Sequence, residues 1–218
     1  MADNIPDSIL LACCDQMGMS HTAIATTQLI QRFRPRLIAM CGIAGGVPAS
    51  GQAHGDLLLS TFAIPYRSGR MEPNGLKPDG HTAVVDKRVE PLLRAAAKEL
   101  ARTPPPDRYA ARGGLIPKAH FGPIGTADQV VDDASIVEAL RGSVARKLLG
   151  VEMEIFAFYS ACAWADPVPY YFACKAISDF PGKKKKTDAT KNVRADAAFV
   201  SGWFAAQFIA TNWLHLEA

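Results

Sequence analysis

The order of the apolar runs constrains this chain more than any other feature. "SILLACC" (8–14) is a continuous apolar stretch of strand length. "MSHTAIATTQLIQRF" (19–33) then spaces its apolar residues at helical intervals, with Ser20 as a candidate cap, and "RLIAMCGIAGG" (36–46) returns to a continuous run that ends in glycines. Continuous rather than alternating strands predict a sheet covered on both faces, and the strand–helix–strand order predicts an α/β fold. The rest of the chain repeats the theme. "GDLLLSTFAI" (55–64), "GGLIPKAHFGPIG" (113–125) and "VPYYFACKAISD" (168–179) read as strands. "PLLRAAAKELAR" (91–102) reads as a helix with Pro91 in its first turn. "DDASIVEALRGSVARKLLG" (132–150) reads as an amphipathic helix capped by Asp132 or Asp133 and stopped by Gly150. An apolar helix follows "VEME" to about Ala165, and "ADAAFVSGWFAAQFIATNWLH" (195–215) is the terminal helix. Residues 65–86, polar and rich in Gly and Pro, are expected to form a long loop with a short hairpin. No repeat or linker interrupts this order, so residues 1–218 are expected to form one domain.

Composition excludes several classes of function. A net charge of +3, with no aromatic-interleaved basic patch, gives no footprint for nucleic acid. No apolar run reaches the roughly 18–20 residues of a membrane span. "MADNIPDSIL" lacks the basic region of a secretory signal. The five cysteines are odd in number, have apolar neighbours and show no C-x-x-C, which predicts reduced, buried thiols and a cytoplasmic protein. The five histidines show no metal-ligand spacing, so no metal and no cofactor is expected.

In open α/β sheets ligands bind at the carboxyl ends of strands, and three strand ends carry unusual residues. In "MCGIAGGV", Gly42, Ile43, Ala44 and Gly45 suit either a tight exit turn or a backbone that comes close to a ligand. In "KAISDF", Asp179 directly follows an apolar strand, with Ser178 before it; it suits either a turn cap or a general acid. In "GVEMEIFAF", Glu152 and Glu154 flank Met153 at the mouth of an apolar helix. First-turn acids answer a helix N-terminus, but residues two apart diverge on a helix. A chain still extended at Glu152 and turning by Glu154 would aim one acid at a site. An ionised carboxylate there can accept two hydrogen bonds from a vicinal diol.

Together and in this order, these segments resemble the nucleoside phosphorylase/nucleosidase superfamily, most closely the 5′-methylthioadenosine/S-adenosylhomocysteine nucleosidases. The resemblance runs from about Ile9 to about Ile209. "GVEMEIFAF" matches the family's V-E-M-E signature, "KAISDF" its [KR]-A-I-S-D, and "MCGIAGGV…HGDLLLS" its glycine-rich stretch followed by G-D. The resemblance implies a three-layer αβα sandwich around a central mixed, largely parallel sheet, and a purine nucleosidase that hydrolyses an N-glycosidic bond. Glu154 would bind the ribose 2′- and 3′-hydroxyls, and Met153 would pack on the sugar. Asp179 would protonate purine N7, with Ser178 positioning it. "TADQVV" would place Gln129, Val130 and Val131 by the base, with a valine at 130 where the family often has an aromatic residue. The backbone of Gly42 to Gly45 would turn near the nucleophile. Partners would be a small nucleoside or nucleotide and a second copy in a homodimer.

The sequence also departs from the family at its start, where the match begins at what would be a later strand and the family's first strand is missing, as expected of a truncated chain or of a variant with altered catalysis. The nucleosidases activate water with a Glu in the turn after their first strand, and the first Glu of this chain is Glu72. Asp15, in "CCDQMGM", is the nearest acid that could substitute. A nucleoside-binding effector module with impaired catalysis therefore stands as an alternative. Phosphorolysis is a further alternative, disfavoured by Met40 and Ile43 where the phosphorylases place phosphate-binding side chains. Lys183 to Lys186 read as a solvated loop, or as a clamp on an anionic ligand. Glu152 is expected to make a structural hydrogen bond at the helix start.

Overall fold

The computed structural model describes residues 8–47, 51–73, 75–100, 102, 117–182 and 187–216. Helix α1 (Met19–Phe33) leads into strand β1 (Leu37–Gly46), followed by β2 (Leu57–Pro65) and a hairpin of β3 (Gly69–Glu72) and β4 (Gly75–Pro78). Then come β5 (Ala83–Val84), α2 (Glu90–Leu100), β6 (Ala119–Thr126), α3 (Ala134–Ser143), β7 (Gly150–Glu152) and α4 (Ile155–Ala163). Strand β8 (Tyr170–Asp179) and helix α5 (Thr187–Asn212) follow, and a 3-10 turn at Trp213–Leu216 ends the described chain. No helix among the described residues is long and apolar enough to cross a membrane.

The main sheet is mixed, in the order β5-β2-β6-β7-β1-β8. Its long pairings are parallel: β1 with β8 from Leu37↔Tyr170 onward, and β2 with β6 from Leu57↔Ala119. Helix α5 packs on β1 and β8, while α4 packs against β2 and β8 and carries α1 on its outer side. Strand β8 is therefore covered on both faces, which is why every residue from Tyr171 to Ser178 is buried and why its sequence does not alternate. The sheet also curls. Leu57 to Leu59 pair antiparallel with Ala176 to Cys174, so β2 and β8 meet and close a ring. Tyr159 of α4 fastens this junction: its hydroxyl donates to the Ser60 carbonyl (2.8 Å) and accepts from the Ala173 N–H (3.1 Å).

Asp56 fixes the start of β2. Its buried carboxylate accepts from the Ala53 and Lys118 N–H groups, both at 3.0 Å, and lies 2.9 Å from His120 Nε2. Burial alone would raise this carboxyl. The bonds from His120, Lys118 and Ala53 outweigh it and hold Asp56 below its ordinary range.

Several elements differ from the sequence reading. Residues 8–14 form no strand, and Ile9, Leu10 and Leu11 are 60%, 58% and 90% exposed. A strand needs a neighbour for its N–H and C=O groups, and none among the described residues pairs with this segment. The β1 edge away from β8 is likewise paired only at Gly45 and Gly46, by β7. Helix α3 stops at Ser143, with Asp133 capping it by accepting from the Ser135 N–H at 2.8 Å. Gly150 opens β7 instead of ending that helix; a Cβ there would overlap the Gly45 carbonyl of the neighbouring strand. Of the strand expected over 113–125, residues 113–116 lie outside the described residues and the strand runs from Ala119 to Thr126, while the terminal helix starts at Thr187, not at 195. Lys183 to Lys186 lie outside the described residues. The five cysteines are free as expected, but Cys13, Cys14 and Cys41 are exposed, because 8–14 is uncovered and β1 has an open edge.

Candidate active site

The short β7 sets the geometry. The chain is extended through Glu152 and helical from Ile155, so the two acids of "VEME" separate as the sequence suggested. Glu152 turns under the first turn of α4. It accepts from the Glu154 N–H (2.8 Å), the Ile155 N–H (3.0 Å) and the Thr126 hydroxyl (2.6 Å). These bonds satisfy helix donors that would otherwise be orphaned, which is the structural role expected of Glu152. Glu154 holds the N-cap position, and its side chain makes no cap bond to its own helix. It reaches away to Lys175 Nζ, which donates to it at 2.9 Å, and to the Gly18 N–H at 3.4 Å.

Lys175 is the residue that sequence reasoning missed. It sits in the middle of β8, and its ammonium lies between Glu154 and Glu152, the latter at 3.5 Å. A lone cation inside the otherwise apolar "YYFACKAIS" was the available signal. Gly42 is its register partner on β1. A Cβ at residue 42 would lie 3.1 Å from Lys175 Nζ and 3.2 Å from its Cδ, so glycine leaves the lane in which the lysine lies. Burial alone would lower the Lys175 ammonium; Glu152 and Glu154 reverse this and hold it above its ordinary range. Burial would raise Glu154, but Lys175 and the Gly18 N–H outweigh it and hold Glu154 below the usual carboxylate range. Burial pushes the wholly enclosed Glu152 upward, with Lys175 and Thr126 pulling part of the way back. Of the two acids, Glu154 is the outward one, with its side chain 19% exposed and two oxygens able to accept further bonds.

Ser178 and Asp179 close the same strand. The β1–β8 register passes from Ala44↔Ile177 to Gly45↔Asp179, which leaves Ser178 as an extra residue. Such a bulge brings neighbouring side chains toward one side of the sheet. The buried Ser178 hydroxyl accordingly donates to Asp179 Oδ1 at 2.9 Å. Gly42, Ile43, Ala44 and Gly45 form no turn, as one alternative had it; pairing with β8 keeps them extended, and β1 runs on to Gly46. Met153 is half-buried between the two acids. Beyond β6, Gln129 and Val130 are exposed, Val130 by 68%, and Val131 packs partly against the cluster around Tyr66 and Val151. Asp15 stands exposed in the segment before α1; its neighbour Cys14 is pushed up first by burial and also by the Cys13, Glu154 and Asp15 charges.

Known proteins resemble this chain in sequence and in fold. The family model of the phosphorylase superfamily matches residues 7–209. An uncharacterised protein, y4jS of Sinorhizobium fredii, is 28% identical over 91% of this chain and 48% of its own length. The 5′-methylthioadenosine/S-adenosylhomocysteine nucleosidase of Geobacillus thermodenitrificans is 30% identical over 77% of this chain and 65% of its own. The ATP nucleosidase Cap17 of Escherichia coli is 24% identical over 96% of this chain and 43% of its own. This chain thus spans about half the length of y4jS and of Cap17. Among solved structures, the adenine complex of the Colwellia psychrerythraea methylthioadenosine/S-adenosylhomocysteine nucleosidase superposes with a TM-score of 0.67 at 21% identity, over 88% of this chain and 74% of that one. With its central mixed sheet and a family match over residues 7–209, the chain belongs to the phosphorylase superfamily.

Proposed function

We propose that the protein is a purine nucleosidase acting on an adenine nucleoside or nucleotide. The observation that carries this reading is the pair of acids served by one strand: Glu154 held ionised by Lys175, and Asp179 bonded by Ser178 four residues further along β8. The sugar's 2′- and 3′-hydroxyls donate to Glu154, and Met153 lies against the ribose. Asp179 gives its proton to purine N7 as the bond from C1′ to N9 breaks, and the electron pair leaves with the base. The oxocarbenium character left on the sugar is taken up by a water oxygen, which bonds C1′ as it loses a proton. Asp15 is the acid this reading offers for that proton. Gln129, Val130 and Val131 flank the base. The relatives named above include nucleosidases of methylthioadenosine, S-adenosylhomocysteine and ATP, which supports the reaction class and leaves the 5′ substituent to experiment.

The test is release of free adenine from methylthioadenosine, adenosine and ATP, followed by chromatography. Asp179→Asn is expected to lower the rate by about 10²–10⁴-fold, the usual worth of a general acid. A variant that keeps the wild-type rate removes Asp179 from the mechanism. One observation favours a second reading, a binding module without turnover: Asp15 stands exposed before α1, whereas Glu154 and Asp179 are partly buried. Nucleoside binding by calorimetry with no base released from any of the three substrates would establish that reading instead.

A further inference from the structure

Helix α1 starts without a cap of its own. Gly18 holds the N-cap position at φ 112° and ψ 163°, and it offers no side chain to the first turn. The cap arrives from 109 residues away: Met19 donates its N–H to Oδ1 of Asp128. Gly18, one residue earlier, donates its N–H to Glu154. A single helix terminus therefore holds two carboxylates that belong to different parts of the candidate pocket. Glu154 is the acid proposed for the ribose. Asp128 heads the segment Gln129–Val131 proposed for the base. Both are placed where the partial positive charge of a helix N-terminus favours an anion. Glycine is demanded at residue 18 twice over. Its φ lies in the left-handed region, and a Cβ there would come within 2.7 Å of Asp128 Oδ1.

We propose that Asp128 is a positioning residue: its bond to the N-terminus of α1 fixes the base-binding segment at a set distance from Glu154. The proposal rests on the nucleosidase reading and deepens it. Ala127 is wholly buried and anchors the segment on one side, with its N–H bonded to the Glu152 carbonyl at 3.1 Å. Gln129 and Val130 are exposed. The Asp128 clasp ties the near end of the exposed pair to helix α1, while beyond it Val131 packs partly against the cluster around Tyr66 and Val151 and the Asp132 carbonyl accepts from the Gly182 N–H at 3.1 Å. Without it Gln129 and Val130 lose their fixed approach to the purine, while Asp179 and the Glu154–Lys175 pair keep their own bonds.

A cap that only stabilises α1 would affect folding and leave base recognition alone, so the experiment reads base recognition. Adenine affinity is measured by calorimetry, and KM and kcat by base release, for Asp128→Ala, Asp128→Asn and Asp128→Glu. Asp128→Ala is expected to weaken adenine binding and raise KM by about tenfold with kcat within about twofold, the pattern of lost uniform binding. Asp128→Asn keeps an oxygen that accepts the Met19 N–H and is expected to stay within about threefold of wild type. Asp128→Glu keeps the charge and displaces it by one methylene; it is expected to raise KM by about threefold or more, and it serves if the alanine variant does not fold. Wild-type adenine affinity and KM in folded Asp128→Ala or Asp128→Glu overturn the proposal. If the wild-type protein neither binds adenine nor releases it, the nucleosidase reading is what has failed. Hydrogen exchange across residues 127–133 then decides the clasp: faster exchange in Asp128→Ala but not in Asp128→Asn supports it, and equal exchange in all overturns it.

Discussion

Replacing Lys175 by methionine tests the electrostatic core of the site. The side chains of Lys175, Glu152 and Glu154 are only 6%, 1% and 19% exposed, so little solvent screens them. Methionine fills much of the same volume and removes the charge, leaving two neighbouring carboxylates without a cation. Removing one partner of a buried ion pair costs about 3–5 kcal/mol. Urea denaturation would read this as a fall in the midpoint of roughly 1–2 M, at the slopes usual for a domain of this size. The pH dependence carries the sharper test. The Lys175 ammonium is held above its ordinary range, so its contribution is complete below about pH 10.4 and lost only as pH rises through the folded value. Glu154 is held below its ordinary range, so its contribution is present above about pH 4.3 and lost as pH falls through the folded value. The difference between wild type and Lys175→Met should therefore be largest near pH 7–8 and shrink toward pH 4, where the variant's acids take protons at little cost. A difference below about 1 kcal/mol at pH 7, or one that stays constant from pH 4 to pH 8, would refute the reasoning.

Three further outcomes follow from the same structure. Gly42→Ala sets a Cβ against the Lys175 ammonium and should lower activity through a displaced Glu154 while costing only about 1–3 kcal/mol of stability; unchanged kinetics would show that the lane at Gly42 is not needed. Tyr159→Phe strips the hydroxyl that the Ala173 N–H and Ser60 carbonyl share, and should cost about 1–3 kcal/mol in thermal or urea unfolding; a loss under about 0.5 kcal/mol would mean that the β2–β8 junction does not depend on it. Asp56→Ala frees two N–H groups and His120, and should cost about 2–4 kcal/mol at pH 7. Because the Asp56 carboxyl is depressed in the fold, the wild-type advantage should hold above about pH 4 and decline below it. An advantage that grows on acidification would contradict the assignment.

Much of the architecture was legible from local pattern. The helix over 19–33 falls on the residues its spacing named, and the covered strand ending in "ISD" declared itself by an apolar run that no solvent-facing strand would carry. The parting of Glu152 from Glu154 was also legible, since an extended residue followed by a helix start leaves adjacent acids on different courses. Four things were hidden because each turns on whether a partner stands far along the chain. The "SILLACC" run has strand composition, but composition cannot supply a neighbour. The turn expected at Gly42 to Gly45 is strand because β8 keeps pairing with it, and the bulge at Ser178 is a register event with no local signal. Lys175 looked like one letter of a motif until its ammonium was seen between two acids.

The closing of the ring bears on how the molecule is made. Leu57 finds its partner Ala176 only after roughly 120 further residues have left the ribosome, which at common elongation rates takes on the order of 6–25 seconds. Until then β2 and β1 each wait with an apolar edge uncovered, since the strand that joins them has not been synthesised. Strand β8 is thus the keystone of β1 and β2, and it brings Lys175, Ser178 and Asp179 with it. A nascent chain of this protein closes its sheet and gains the residues of the candidate site in the same late step, and during that interval a holding chaperone would have most to grip.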